Sequence, residues 1–127
     1  MGSRRPSAGF TLIELLVVMS IVALLLALAV PRYFRSLAQA REAVLKENLA
    51  LIRDSLDKHY ADTGAYPRAL EDLVGKRYLR KLPEDPVTGS AGTWLVVSQS
   101  RAQDSGVADV KSGAAGNSLS GEPYSQW

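Results

Sequence analysis

The run from Phe10 to Val30 is 21 residues long and carries a single charge, Glu14. At about 1.5 Å per residue it forms a helix of roughly 30 Å, the thickness of a bilayer's hydrocarbon core. This is a membrane-spanning segment, so any folded domain must be built from the residues after it. A carboxylate costs on the order of 2.5–3.5 kcal/mol at the bilayer centre and less near the edge. Glu14 lies close to the start of the run, where a partner for its charge is expected.

The segment ahead of Phe10, Met-Gly-Ser-Arg-Arg-Pro-Ser-Ala-Gly, is short, polar and basic, as the leading region of an export signal should be. An ordinary secretory signal is cut after its apolar region at a small-x-small site. Ala27, Ala29 and Val30 offer small residues, but Pro31 and a long helical pattern follow without a break, which argues that the apolar segment stays attached. The alternative is a cut between Gly9 and Phe10, on the cytoplasmic side, freeing an amine one helical turn from Glu14. Arg4-Arg5 superficially suggests a twin-arginine signal, but the run behind it is too long and too apolar for that. The two arginines favour a cytoplasmic N-terminus, with Arg32 and Arg35 weakening the asymmetry.

The string Gly9-Phe10-Thr11-Leu12-Ile13-Glu14-Leu15, followed by an apolar helix with Pro31 at its end, resembles the class III signal of type IV pilins and type II secretion pseudopilins. The resemblance implies that a prepilin peptidase cleaves after Gly9 and methylates the new N-terminal Phe10. It also implies that Glu14 neutralises the N-terminal amine of a neighbouring subunit during filament assembly. Glu14 as a carboxylate reaching the headgroups, and Gly9 and Phe10 as mere markers of a helix start, is the simpler reading of each residue alone. Their conjunction argues against it.

The chain holds 15 Lys+Arg and 13 Asp+Glu, and loss of the leader with Arg4 and Arg5 would leave 13 of each sign. The basic isoelectric point is thus no evidence for nucleic acid, and no nucleic-acid partner is expected. Cysteine is absent, which excludes disulfide staples, thiol chemistry and zinc ribbons. The length allows one small domain, stabilised by packing against the helix, by an ion or by neighbouring subunits. No paired carboxylates in a recognisable site, phosphate-binding glycine loop or nucleophile motif supports catalysis.

From Arg32 to about Asp62 there is no glycine or proline, and Leu45, Leu49, Ile52, Leu56 and Tyr60 recur at steps of three and four, with Phe34 and Leu37 extending the stripe. The spacing predicts an amphipathic continuation of the membrane helix, which Pro31 should kink or loosen without necessarily ending. Arg41, Glu42, Lys46, Glu47, Arg53, Asp54, Asp57 and Lys58 read either as a solvated face or as lateral ion pairing between packed subunits. His59, alone near the helix end, reads as a surface or boundary residue. Gly64 is placed to cap the helix. Arg68 to Gly75 reads as a short helix, Lys76 to Lys81 as a solvated basic loop in preference to a contact for phosphate or an anionic partner, and Leu82 to Gly89 as a turn-rich connector. Thr93–Ser98 and Gly106–Lys111 read as two strands, the second alternating, around a polar turn at 101–105. The tail from Ser112 to Trp127 reads as a loop pinned by Leu119, Tyr124 and Trp127.

Thr63-Gly64-Ala65-Tyr66-Pro67, Leu82-Pro83 with Asp85-Pro86, and the stretches Asp109–Gly113 and Gly121–Trp127 are similar to G-type pseudopilins. That resemblance implies a pilin-like α+β fold: a long N-terminal helix, half membrane-spanning and half amphipathic, packed on a small antiparallel sheet. Its expected divisions are a leader at 1–9, an assembly helix at 10–30, an amphipathic continuation at 31–62 and a globular part at 63–127. It also implies a calcium site in the C-terminal loop, with Asp104, Asp109 and Glu122 as the available carboxylates. Six to eight oxygens are needed, so backbone carbonyls would have to supply most of them.

The expected function is that of a structural subunit of a helical pseudopilus driving protein secretion, with Gly9, Phe10, Glu14 and Pro31 as its processing and assembly residues. The implied partners are further copies of the chain, the prepilin peptidase, an inner-membrane assembly platform and minor pseudopilins. The implied location is the bacterial inner membrane, single-pass, with the C-terminal part in the periplasm. A type IV pilin or minor pilin for adhesion, motility or DNA uptake, and a tethered binding domain that never polymerises, are the alternatives.

Overall fold

The computed structural model describes residue 2, residues 9–99 and residues 106–127. Arg4, Arg5, the expected turn at 101–105 and the candidate ligand Asp104 lie outside the described residues. Helix α1 runs from Leu12 to Thr63, with Pro31 inside it. A short helix α2 spans Glu71–Gly75, strands β1 and β2 span Leu95–Ser98 and Val107–Lys111, and a 3₁₀ turn covers Tyr124–Gln126. The chain divides into two compact units, residues 1–37 and 38–127. The architecture is α+β.

In the first unit α1 has the length and composition of a membrane span, and none of that window is buried. Ser20 donates its hydroxyl to the Leu16 carbonyl at 2.8 Å, so this polar side chain is satisfied within the helix.

The second unit is organised by the expected stripe. Leu45, Leu49, Ile52 and Leu56 are buried on one face of α1, against Leu70 and Leu73 around α2, Leu79, Trp94, and Val107 and Val110 of β2. Burying each aliphatic side chain contributes about 1.5–3 kcal/mol. Gly64 adopts φ +76° and donates its N–H to the Tyr60 carbonyl at 2.8 Å, a left-handed cap that stops α1. Gly113 has a different reason for lacking a side chain, since a Cβ there would run into the Thr93 carbonyl. Any substitution at Gly113 must move backbone.

The two strands pair antiparallel, Leu95 with Lys111, Val96 with Val110 and Val97 with Asp109, after which Ser98 pairs with Val107. Ala108 is thereby passed over, a bulge that breaks the alternation expected of β2. It lets Val107 and Val110, three positions apart, both enter the core. Strand β1 is exposed along its whole length. The second helix is shorter than the expected 68–75, although Leu70 and Leu73 are buried.

Two polar residues correct the sequence reading. His59 is buried, not a surface residue. Its Nδ1 lies 2.7 Å from the Ala65 carbonyl and must donate to it, which leaves Nε2 to accept from the Lys76 ammonium at 3.2 Å. Asp85, expected only as a turn residue, is fully buried. Its carboxylate accepts from the Val87 N–H at 2.9 Å and from the Ser112 hydroxyl, tying the connector to the chain just after β2.

Candidate functional site

Thr11 and Glu14 open α1 as a reciprocal pair. The Glu14 N–H donates to Thr11 Oγ1 at 3.2 Å, and the Thr11 N–H donates to Glu14 Oε2 at 3.3 Å. This is a capping box, which satisfies two backbone donors that a helix start leaves orphaned. Its signal, Thr-x-x-Glu ahead of an apolar run, is present in the sequence but was masked by the role expected of Glu14 in assembly. Gly9 and Phe10 precede the helix, and Phe10 is 87% exposed. Between Leu12 and Val30 every residue is exposed, and Glu14 is the one charged side chain in that stretch. Pro31 lies at the far end of this apolar stretch, inside α1.

The opposite end of the chain holds a second polar assembly. Glu42, Lys46, Leu49 and Arg53 follow one another at steps of four, three and four, one face of α1. Glu42 Oε1 accepts from the Leu119 N–H at 2.7 Å and from the Tyr124 hydroxyl at 3.0 Å. Lys46 Nζ stands 4.7 Å from the centre of the Trp127 ring. Arg53 donates to Asp109 Oδ1 at 2.8 Å, to the Val110 carbonyl at 3.0 Å and to the Trp127 carbonyl at 2.8 Å. The residues expected on a solvated or laterally paired face therefore include three that grip the tail. Tyr124 and Trp127 pack against the core as anchors, in an edge-to-face pair. Leu119 does not: its side chain is exposed, and it is held through its backbone N–H.

Two tyrosines at this surface are shifted. Burial, followed by the hydrogen bond to Glu42, pushes the Tyr124 phenol above its ordinary value near 10. The hydrogen bond to Asp62 does the same for Tyr78, with burial a smaller cause. In both, a neighbouring carboxylate favours the neutral phenol that donates to it.

Of the calcium candidates, Asp104 lies outside the described residues, and the other two have separate surroundings. Asp109 is committed to Arg53 and to the Val110 N–H at 2.7 Å. Glu122 is exposed in the tail. Among the described residues no three acidic or imidazole side chains gather as a metal cluster would.

A model of the prokaryotic N-terminal methylation motif matches residues 4–30. Type II secretion system core protein G of Pseudomonas aeruginosa is 39% identical over 99 residues, covering 65% of this chain and 70% of that protein. The chain belongs to the type II secretion system core protein G family. Core protein G of Aeromonas hydrophila is 28% identical over 99 residues, 65% of this chain and 69% of the relative. Core protein G of Vibrio cholerae is 29% identical over 101 residues, 68% and 69%. No solved structure matches the chain at a significant level. The methylation motif covers Gly9, Phe10, Thr11 and Glu14, so in this core protein G chain the capping box lies within the motif.

Proposed function

We propose that this chain is a structural, non-catalytic subunit of a type II secretion pseudopilus, held first as a single-pass inner-membrane protein and then assembled into a helical fibre. One observation carries the reading. The apolar stretch of α1 is exposed from Leu12 to Val30 and begins beside its only charge, Glu14. In the membrane lipid covers that surface, and in a fibre the same surface packs against like helices, so extraction exchanges one apolar environment for another. Contacts between different patches of successive copies do not close on themselves and generate a filament.

On this reading the leader at 1–9 is removed between Gly9 and Phe10, and Phe10 is methylated. The freed amine sits one residue before Thr11, whose N–H already leans on Glu14. Glu14 then pairs with the amine of a neighbouring copy. Pro31 provides a place for the helix to loosen as it packs, between the assembly helix at 10–30 and its amphipathic continuation at 31–62. The globular part at 63–127 faces the periplasm, and the partners are the prepilin peptidase, an inner-membrane assembly platform and minor pseudopilins. The family and the unpartnered apolar stretch support this.

N-terminal sequencing of the processed protein should begin at methylated Phe10; a start at Met1 or after Ala29 would refute it. Glu14→Ala should enter the membrane at least as well as the parent, having lost a costly charge, yet appear in sheared fibres at least tenfold less, a change of about 1.4 kcal/mol in assembly free energy. Wild-type incorporation would exclude the pairing.

A further inference from the structure

The family resemblance implies a calcium ion organising the C-terminal loop, and among the described residues the donors around the tail do not fit one. A hard dication takes about 6–8 oxygen ligands. Here three carbonyls of the tail already accept N–H donors. The Glu122 carbonyl receives the Ser118 N–H at 2.7 Å, the Ser118 carbonyl the Gly121 N–H at 2.9 Å and the Gly116 carbonyl the Tyr124 N–H at 3.3 Å. Arg53 occupies the Val110 and Trp127 carbonyls as well as the Asp109 carboxylate. Two cationic side chains, Lys46 and Arg53, border this region, and a dication would be repelled by both. Asn117, Ser118 and Ser120 are neutral, which leaves Glu122 as the one carboxylate between Ser112 and Trp127.

We infer that the seam Glu42–Lys46–Arg53 holds the tail on α1 in place of a cation, so that the C-terminal loop keeps its fold without calcium. A bound dication would organise such a loop by gathering its oxygens. At Glu42 the seam reaches the same end with the opposite polarity, because there the carboxylate is on the helix and the loop supplies the donors. Glu42 gathers an N–H and an O–H five residues apart, Leu119 and Tyr124, in charge-assisted hydrogen bonds. Arg53 gathers oxygens from β2 and from the tail's last residue through one planar fork. The Arg53–Asp109 pair by itself is half exposed and contributes little. The strength lies in satisfying several backbone groups at once.

The inference is independent of whether the chain forms fibres. Its test uses the full chain in nonionic detergent, with chymotrypsin cutting at Leu119 and Tyr124 as the readout of tail release, in excess EDTA and in millimolar calcium. The parent protein should be cut at the same slow rate in both, and calorimetric titration with calcium should give no saturable heat. Glu42→Gln keeps the shape but loses the charge, and should be cut several-fold faster, with no rescue by calcium. Faster cutting of the parent in EDTA, or saturable calcium binding that slows cutting, would overturn the inference. So would a Glu42→Gln tail cut no faster than the parent's.

Discussion

Leu24 and Leu49 are the same residue in the same helix, and they meet opposite surroundings: Leu24 is 64% exposed and Leu49 2%. Around Leu24 every long side chain points to the exterior, so the stability of that stretch is supplied by whatever apolar phase surrounds it. Around Leu49 the apolar phase is made by the chain itself, from α2, Trp94 and β2. The polar groups differ in the same way. In the first stretch the hydrogen bonds of Thr11, Glu14 and Ser20 are all made within about one helical turn. In the second, Glu42, Arg53 and Asp85 find partners far along the sequence. A membrane segment must settle its hydrogen bonds locally because nothing polar lies beside it, whereas a folded unit can use polar side chains to fix which distant segments meet.

The same truncation at the two places should separate them most strongly. Leu49→Ala should destabilise the folded unit by about 2–5 kcal/mol, with transfer and cavity terms adding. Leu24→Ala should leave its unfolding unchanged. Urea unfolding in detergent, followed by the fluorescence of buried Trp94, measures both, and equal losses would break the contrast. A smaller loss belongs to Asp85→Ala, which strands the part-buried Val87 N–H and the buried Ser112 hydroxyl at a cost of about 1–3 kcal/mol. Glu14→Gln, which alters the polar group of the exposed stretch, should not move the same transition.

The smallest effect is a pH dependence. The folded-state value of Tyr124 is raised, so its contribution is fully present below the unfolded value near 10 and is lost as pH rises through the folded value. Tyr124→Phe should cost about 1 kcal/mol at neutral pH. It should also flatten the loss of stability above pH 10. An alkaline unfolding series on the two proteins reads this, and parallel curves would show that neither burial nor Glu42 raises the phenol.

What could be read beforehand was whatever repeats or caps locally. The stripe Leu45, Leu49, Ile52, Leu56 and the stop at Gly64 follow from helical period and from the one residue type that tolerates a left-handed turn. The motif from Gly9 to Leu15 is legible because its residues act together within two turns. The bulge at Ala108 was not, because register is decided between strands and leaves β2 looking like any alternating segment. Glu42, Lys46 and Arg53 look like a wet helix face until the tail is laid on them. His59 and Asp85 were misjudged for the same reason: a polar residue enters a core only when a partner elsewhere makes burial tolerable, and Lys76 and Ser112 carry no mark of that service.

The seam also orders events in time. Its bonds join residues 56 to 82 positions apart. At about 5–20 residues per second, the chain between Glu42 and Tyr124 takes roughly 4–16 s to synthesise, whereas a helix forms in about a microsecond. For the last roughly 3–12 s of that interval, after Thr63 is made, α1 is complete while the tail is not, and Leu45, Leu49, Ile52 and Leu56 still lack part of their cover. The nascent helix therefore carries two apolar stretches in succession, one suited to lipid and one waiting for residues not yet made.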